Sequence, residues 1–323
     1  MSRDVVIGLN AVVLAVTREE PRILVVPRDD TGDPQSVVDT LPFGPLDPES
    51  DRTLELALRG WVREQAGIEV GYVEQLYTFG DRNRDPRERE GGPRVISIGY
   101  LTLGPEGEPA AGSAAVWRPW YSHFPWEDWR RGRPAILDLR LAPLLGEWAD
   151  AADDEDLQRQ RRERIDIAFG LRGAPWDGYR VLDRYELLYE AGLVQEARRD
   201  RPAENAAHGG LEIGRGMGFD HRRILATAIS RLRGKIKFRP VVFELLPETF
   251  TLLQLQRVVE ALAGQPLHKQ NFRRLVDKGG LVEGTGEQSH GSTGRPAELF
   301  RFRRDVLRER PTPGVGLPAL PSS

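Results

Sequence analysis

The stretch "RGWVREQAGI", Arg59 to Ile68, closes the one helical run in the first hundred residues. From Thr53 to Ala66 the apolar residues Leu54, Ala57, Leu58 and Val62 recur at helical spacing. Gly67 stops the run, as a glycine just past a helix commonly does. The segment has the outline of a metal-binding enzyme helix but few of the carboxylates such a helix needs. Upstream, "VVIGLNAVVLAV" and "RILVV" are rich in branched residues and are separated by the polar cluster "TREEP", which predicts a β-hairpin. Downstream, "YVEQLYTFG" and "RVISIGYLTLG" predict two more strands, joined by the charged connector "DRNRDPREREGGP". One helix among four or more strands is the expected shape of this region.

The chain has 323 residues, enough for two domains and a third small unit. It contains no cysteine, which excludes disulfides, thiolate zinc sites and a cysteine nucleophile, and suits a reducing, cytoplasmic setting. The N-terminal apolar run is interrupted by Asn10 and is too short to span a bilayer, so it reads as a buried strand and no membrane association is expected. The net charge of −3 conceals an asymmetry. From Phe219 to Arg310 there are 18 Lys and Arg against 10 Asp and Glu, a net of +8 that leaves −11 for the rest. A basic C-terminal module on an acidic body is expected where one end meets nucleic acid; the alternative is a merely basic surface.

The middle of the chain is different in texture. "WRPWYSHFPWEDWRRGRP" carries Trp117, Trp120, Trp126 and Trp129 in a proline-broken run. Tryptophan beside arginine makes a stacking surface for bases or sugars, or an aromatic core at a subdomain seam, and the core is the expectation. Helices are expected at Pro134 to Ala149, Asp156 to Phe169 and Val181 to Arg199, before the glycine-rich connector "AAHGGLEIGRGMG".

The last module has the clearest order. "DHRRILATAISRLRGKI" places Ile224, Leu225, Ala228, Ile229 and Leu232 on one face, an amphipathic helix that connects domains or pairs with a second subunit. In "TLLQLQRVVEALAG", Thr251 and Gln254 have capping-box spacing and Leu255, Val258, Val259 and Leu262 form a stripe. After the turn "GQP", the segment "LHKQNFRRLVDKGG" turns Phe272, Leu275 and Val276 inward and leaves His268, Lys269, Gln270, Asn271, Arg273 and Arg274 on its other sides. Two short helices across a tight turn form a helix-turn-helix pattern. Gln270 and Asn271 suit adenine, and Lys269, Arg273 and Arg274 suit guanine or phosphate. The following "LVEGTGEQSHGSTGRPAELFRF" predicts a β-hairpin with a long tip, where Arg295 is placed to enter a minor groove. Thr251, at the start of the first helix, completes the expected DNA-contacting set. A protein-docking winged helix is the competing reading. Residues 311–323 are Pro-, Gly- and Ser-rich and are expected to be disordered.

The segment "TLPFGPLDPESDRTLELALRGWVREQAGIEV", with "LYTFGDRNRDP" and "RVISIGYLTL", resembles the core of a Nudix domain, whose signature is G-x5-E-x7-R-E-U-x-E-E-x-G-U with U aliphatic. Aligned on Gly67 and Ile68, Val62 takes the aliphatic position and Glu64 the first glutamate of the E-E pair. Gly60 falls where the arginine belongs, Trp61 and Gln65 where glutamates belong, and Arg52 on the upstream glutamate. Leu46 takes the opening glycine slot, with Gly44 two residues early. A lone glutamate holds a divalent cation weakly, so no metal, no cofactor, no catalytic residue and little or no hydrolase activity are expected.

Together with the C-terminal segment, the chain is similar to the Nudix-related transcriptional regulators of bacteria. That resemblance implies an α/β (α+β) fold, with a Nudix-like α/β/α sandwich and mixed sheet over 1–116 and a linker helix with a winged helix-turn-helix over 219–310; the helical Trp-rich insertion and connector expected over 117–218 is where the sequence departs from the family. It implies a homodimeric repressor that binds double-stranded operator DNA and senses an ADP-ribose-like or other nucleotide or sugar effector, with Trp61, Glu64 and Arg82 as candidate effector contacts. Two other functions fit the same residues: an active pyrophosphohydrolase with an accessory basic C-terminus, and a nucleotide-sensing adaptor whose winged helix binds protein.

Overall fold

The computed structural model describes residues 5–29, 37–82, 88, 91–201, 213–289, 296–309 and 313–315. Strands β1 (Val5–Thr17) and β2 (Glu20–Arg28) form the expected hairpin. Its two-residue turn, Arg18 and Glu19, has positive φ at both positions (51° and 65°), the twist a tight hairpin requires, without the usual Asn-Gly. Tertiary contacts hold this turn in place. Arg130 donates to the Glu19 carbonyl, and Arg257 lies 3.7 Å from its carboxylate.

The short strands β3 (Val38–Thr40) and β4 (Phe43–Pro45) precede α1 (Leu54–Ala66). Thr53 caps that helix by accepting from the Leu56 amide, and Gly67 ends it in the left-handed region. Strands β5 (Tyr72–Phe79), β6 (Arg94–Leu103) and β7 (Val116–Pro119) complete a seven-stranded sheet of order β3-β2-β1-β6-β5, with β4 on β1 and β7 on β2. The pairing of β1 with β6 is parallel and the other pairings are antiparallel, so the sheet is mixed as expected. Strand β7 straddles the boundary expected at 116/117, and Trp117 belongs to the sheet it was expected to leave.

Alternation along β1 divides the core. Leu9, Ala11, Val13 and Ala15 pack with Ala57, Leu58, Val62 and Ala66 of α1. Val12 and Leu14 face the opposite side, where they join one continuous core with the middle and C-terminal helices. The middle contributes α2 (Trp120–His123), a 3-10 turn (Pro125–Glu127), a π-helical turn (Leu137–Leu141), α3 (Ala142–Asp150), α4 (Glu155–Phe169), α5 (Val181–Glu190) and α6 (Gln195–Asp200). The helix expected over Val181 to Arg199 is therefore two, broken where Gly192 adopts φ 72°. Trp120 and Trp126 are fully buried, so these two form core and not a stacking surface.

Helix α7 (His221–Ile236) lies across the sheet and leads to the C-terminal module. Its Ile224 packs against β6, where a Cβ on Gly99 would stand only 3.0 Å from Ile224 Cγ2. Buried ion pairs fix the helix at both ends. Arg222 pairs with Glu196 at 3.2 Å and donates to the carbonyls of His123 and Ile213. Arg233 pairs with Glu127 at 2.6 Å, and Glu127 also receives Arg184 at 2.5 Å. Pro313–Val315 was expected within a disordered tail, but Val315 is buried and its amide donates to the Ile236 carbonyl. An apolar side chain within a Pro/Gly-rich segment had a hydrophobic seat available at the end of α7. Among the described residues no helix is long and apolar enough to cross a membrane.

Two stability outcomes follow from this packing. Glu127→Gln leaves Arg184 and Arg233 buried without their counter-charge and should cost about 3–5 kcal/mol in urea denaturation. Burial depresses the His123 imidazole to about 3, against favourable donation to the Arg215 carbonyl. The folded state therefore excludes a proton that the unfolded chain accepts below its ordinary value of 6.5. Stability should fall as pH drops from 6.5 toward 3, and His123→Asn should flatten that slope in urea titrations repeated across the range.

Candidate nucleic-acid interface and effector pocket

The C-terminal module is built by local signals that match the chain order. A 3-10 turn (Val241–Leu245) and β8 (Thr249–Phe250) lead to α8 (Leu252–Ala263). Thr251 accepts from the Gln254 amide while the Gln254 side chain accepts from the Thr251 amide, a complete capping box. Leu255, Val258, Val259 and Leu262 are buried as the stripe predicted. Gly264 then turns the chain at φ 71°, and any Cβ there would collide with the Glu127 carbonyl oxygen. Glu260 and Gln256 hold the turn from within: Glu260 accepts from the Leu267 amide at 2.9 Å, and Gln256 donates to the Leu267 carbonyl at 2.9 Å.

Helix α9 (Lys269–Gly279) follows, with His268 as its N-cap residue. Phe272 and Val276 are buried and Leu275 is half-buried, which leaves His268, Lys269, Gln270, Asn271, Arg273 and Arg274 exposed. Strands β9 (Val282–Ser289) and β10 (Ala297–Phe302) form the wing, with β8 completing a sheet of order β8-β10-β9. A short helix, α10 (Val306–Glu309), closes the module. Arg295 lies outside the described residues.

The N-terminal domain shows what replaced the missing carboxylates. The Trp61 indole packs on Gly44, where any side chain would collide with the ring, and its Nε1 donates to the Pro45 carbonyl at 3.0 Å. Gln65 bonds the backbone of Phe43 twice, accepting from its amide and donating to its carbonyl. Both substitutions thus tie α1 to β4. Glu64 is exposed; Glu55 is nine residues away, about half a turn round the helix, and is held by Arg59 at 2.8 Å. The described residues hold no group of three or more His, Cys, Asp or Glu placed to bind a metal. The donor set on α1 does not fit a divalent cation.

A cavity of about 270 Å³ opens on the other face of the sheet, between its strands and the start of α7. Asn10, Phe43, Phe79, Ser97, Phe219 and His221 line it. Phe43 meets Phe219 and His221 edge-on at 5.0 Å and carries the Arg28 guanidinium 4.5 Å above its ring. His221 Nδ1 accepts from the Leu41 amide at 2.9 Å, which places the ring proton on Nε2. Phe219 has φ 53°, a costly conformation for a residue with a side chain. None of Trp61, Glu64 and Arg82 lines this cavity; Arg82 is exposed beyond β5. Sequence reasoning missed Asn10 and Phe219 as wall residues because one lies in an apolar strand and the other in a connector. The asparagine interrupting the apolar run was the only signal.

The arrangement is that of a Nudix-type sheet with a carboxylate-poor signature helix, joined through one long helix to a winged helix. Residues 242–302 match the family described as the NrtR DNA-binding winged helix domain. The ADPR responsive transcriptional repressor NtrR of Acinetobacter baylyi is 40% identical over 86 residues, 27% of this chain and 34% of that protein. The match thus spans about a third of the relative's length. The fold is shared with Shewanella oneidensis NrtR crystallised with a 27mer DNA, at TM-score 0.56 and 21% identity, covering 97% of this chain and 99% of that one. It is also shared with a MutT/nudix family protein from Enterococcus faecalis, at TM-score 0.53 and 16% identity, covering 94% and 90%.

The packing of α1 on β4 leads to a direct test. Gly44→Ala should displace the Trp61 indole and lower the melting temperature by several degrees, with Trp61 fluorescence shifted to longer wavelength. Trp61→Ala in the same background should remove most of the added penalty, because the clash is then gone.

Proposed function

We propose that the chain is a ligand-responsive transcriptional repressor that binds operator DNA through α9 and senses a metabolite in its Nudix-type domain. The observation that carries this reading is the recognition helix. Six exposed side chains, Lys269, Gln270, Asn271, Arg273 and Arg274 with His268 at the cap, stand on a helix whose buried face is fixed by Phe272 and Val276. Amide side chains near the N-terminus of such a helix read base edges, while the flanking cations meet phosphates. Thr251 begins α8, where its hydroxyl proton remains available to a phosphate after the oxygen accepts from Gln254. Arg295 would add a contact from the wing. The winged-helix match and the DNA complex of the Shewanella relative support the reading.

The effector is ADP-ribose or a related nucleotide or sugar, as the name of the Acinetobacter relative suggests. Helix α7, about 24 Å long by its 16 residues, touches the cavity with one end and α8 with the other. A ligand that moves Phe219 or His221 therefore tilts the recognition helix. In a homodimer with half-sites one DNA turn apart, such a tilt changes the match to both sites at once. The sparse carboxylates of α1 favour binding over hydrolysis, and the chain acts within the cytoplasm.

Fluorescence polarisation on the chain's own upstream DNA tests this reading; absence of sequence-selective binding at physiological salt would sink it. Arg273→Ala or Lys269→Ala should weaken binding evenly across sequences and reduce the slope of log K against log salt by about 1. Asn271→Ala should instead relax specificity at a base position, at a cost of about 1–3 kcal/mol for the preferred site. Incubation with magnesium and ADP-ribose should yield no phosphate-containing product at an enzymatic rate, whereas turnover abolished by Glu64→Gln would restore the hydrolase reading.

A further inference from the structure

Helix α8 ends against the middle of the chain and not in solvent. The last carbonyls of a helix have no partner within it and need donors from elsewhere. Three of them are met here from outside the winged helix. Tyr121 Oη donates to the Ala261 carbonyl at 2.7 Å, Arg233 Nε to the Leu262 carbonyl at 3.0 Å, and the Trp129 amide to the Gly264 carbonyl at 2.6 Å. Two of these donors, Tyr121 and Trp129, belong to the Trp-rich stretch, which also supplies the Glu127 carbonyl packed against Gly264. Arg130 of the same stretch lies 5.0 Å from the centre of the Tyr121 ring and donates to the Glu19 carbonyl at 2.6 Å. The Glu19 carboxylate in turn lies 3.7 Å from Arg257 on α8. The end of α8 is thus held from two sides.

Only residues 265–268 separate this anchored end from the first turn of α9, and Glu260 and Gln256 brace them through both backbone groups of Leu267. The anchor therefore reaches the end of α9 that exposes Lys269, Gln270 and Asn271. Building on the reading of the chain as a dimeric operator-binding repressor, we propose that the Trp-rich stretch is a seat for the base-reading end of α9, with Tyr121 and Glu19 as positioning residues. Two copies of the chain then accept operator half-sites in one rotational phase and reject others. The physical reason is orientational freedom. A seated module presents its recognition helix at a fixed angle, so the second half-site is met without further ordering. A loosened module must be ordered at each encounter, which weakens binding to the paired half-sites but lets it follow them to other spacings. Tyr121 and Glu19 both lie outside the winged helix, so their replacement leaves the side chains of α9 in place.

Fluorescence polarisation with the full chain tests the seat on three duplexes. These are the operator selected from the chain's own upstream DNA, a single half-site, and the operator with two base pairs inserted between its half-sites, which turns them by about 70°. The native chain should bind the operator at least tenfold more tightly than either of the others. Tyr121→Phe removes only the hydroxyl; alone, and more so combined with Glu19→Gln, it should weaken operator binding several-fold and shrink the penalty of the insertion. Half-site affinity should stay within twofold, which shows that fold and recognition helix are intact. Arg159→Ala, on the exposed face of α4, should change none of these values. Any of three results overturns the seat: half-site and operator affinities that fall together, an insertion penalty unchanged in the double variant, or sequence-selective binding by the native chain that is equal on all three duplexes. Each of these leaves operator binding standing. Absence of sequence-selective binding by the native chain would instead remove the repressor reading, and the seat with it.

Discussion

Glu127 lies fully buried between two equally buried arginines, Arg184 of α5 and Arg233 of α7. Burial alone would raise its carboxyl, but the two guanidinium groups outweigh that and hold it below the ordinary range. Each arginine uses its remaining donors on backbone carbonyls: Arg184 on Ala168 and Asp177, Arg233 on Leu262 and Gly178. Five stretches of chain thus meet at one carboxylate. Such a cluster adds little net stability over a well-packed apolar core, because desolvation offsets the attraction. What it adds is direction. An apolar seam tolerates sliding, whereas charged groups held by named carbonyls accept one relative placement of the helices.

That placement matters because α7 belongs to both halves of the molecule. It packs on the sheet where Gly99 keeps β6 low enough for Ile224, and it reaches α8 through Arg233 and the Leu262 carbonyl. The hairpin turn at Arg18 and Glu19 adds a second bridge, through Arg257 on α8. The first helix of the winged helix is therefore coupled to the sheet by rigid contacts and not by a loose linker. A displacement at the start of α7 has few ways to be absorbed before it reaches the winged helix.

The signature helix keeps its packing frame where most of the signature's carboxylates are replaced. Leu58, Val62 and Ala66 are buried against β1, and Gly67 ends the helix in a left-handed turn that a bulkier residue would strain. Those positions are fixed by packing and remain whatever the domain does. Trp61 and Gln65 occupy glutamate positions and instead bond the carbonyls of Pro45 and Phe43. Their bonds make this face of the helix an anchor for the β4 strand, whose other face lines the aromatic cavity.

Local order was legible in the chain because it depends on near neighbours. The helix from Leu54 to Ala66, the capping box at Thr251, the buried stripe of α8 and the outward residues of α9 all follow from periodicity and caps, which act within a few residues. Resemblance to the Nudix signature and to winged-helix regulators extended that reading to the sandwich and the DNA module. Long-range geometry was not legible. Nothing near Glu127 marks it as the partner of Arg184 and Arg233, 57 and 106 residues away. Asn10 and Phe219 stand 209 positions apart, and only the folding of α7 onto the sheet makes them walls of one cavity. The sequence by itself determined the first hairpin, the signature helix and the helix-turn-helix order of the last module, and which side chains α9 would expose. Tertiary structure alone decided where buried charges meet and where a ligand can enter, because burial and charge pairing depend on distance in space, which no local pattern encodes.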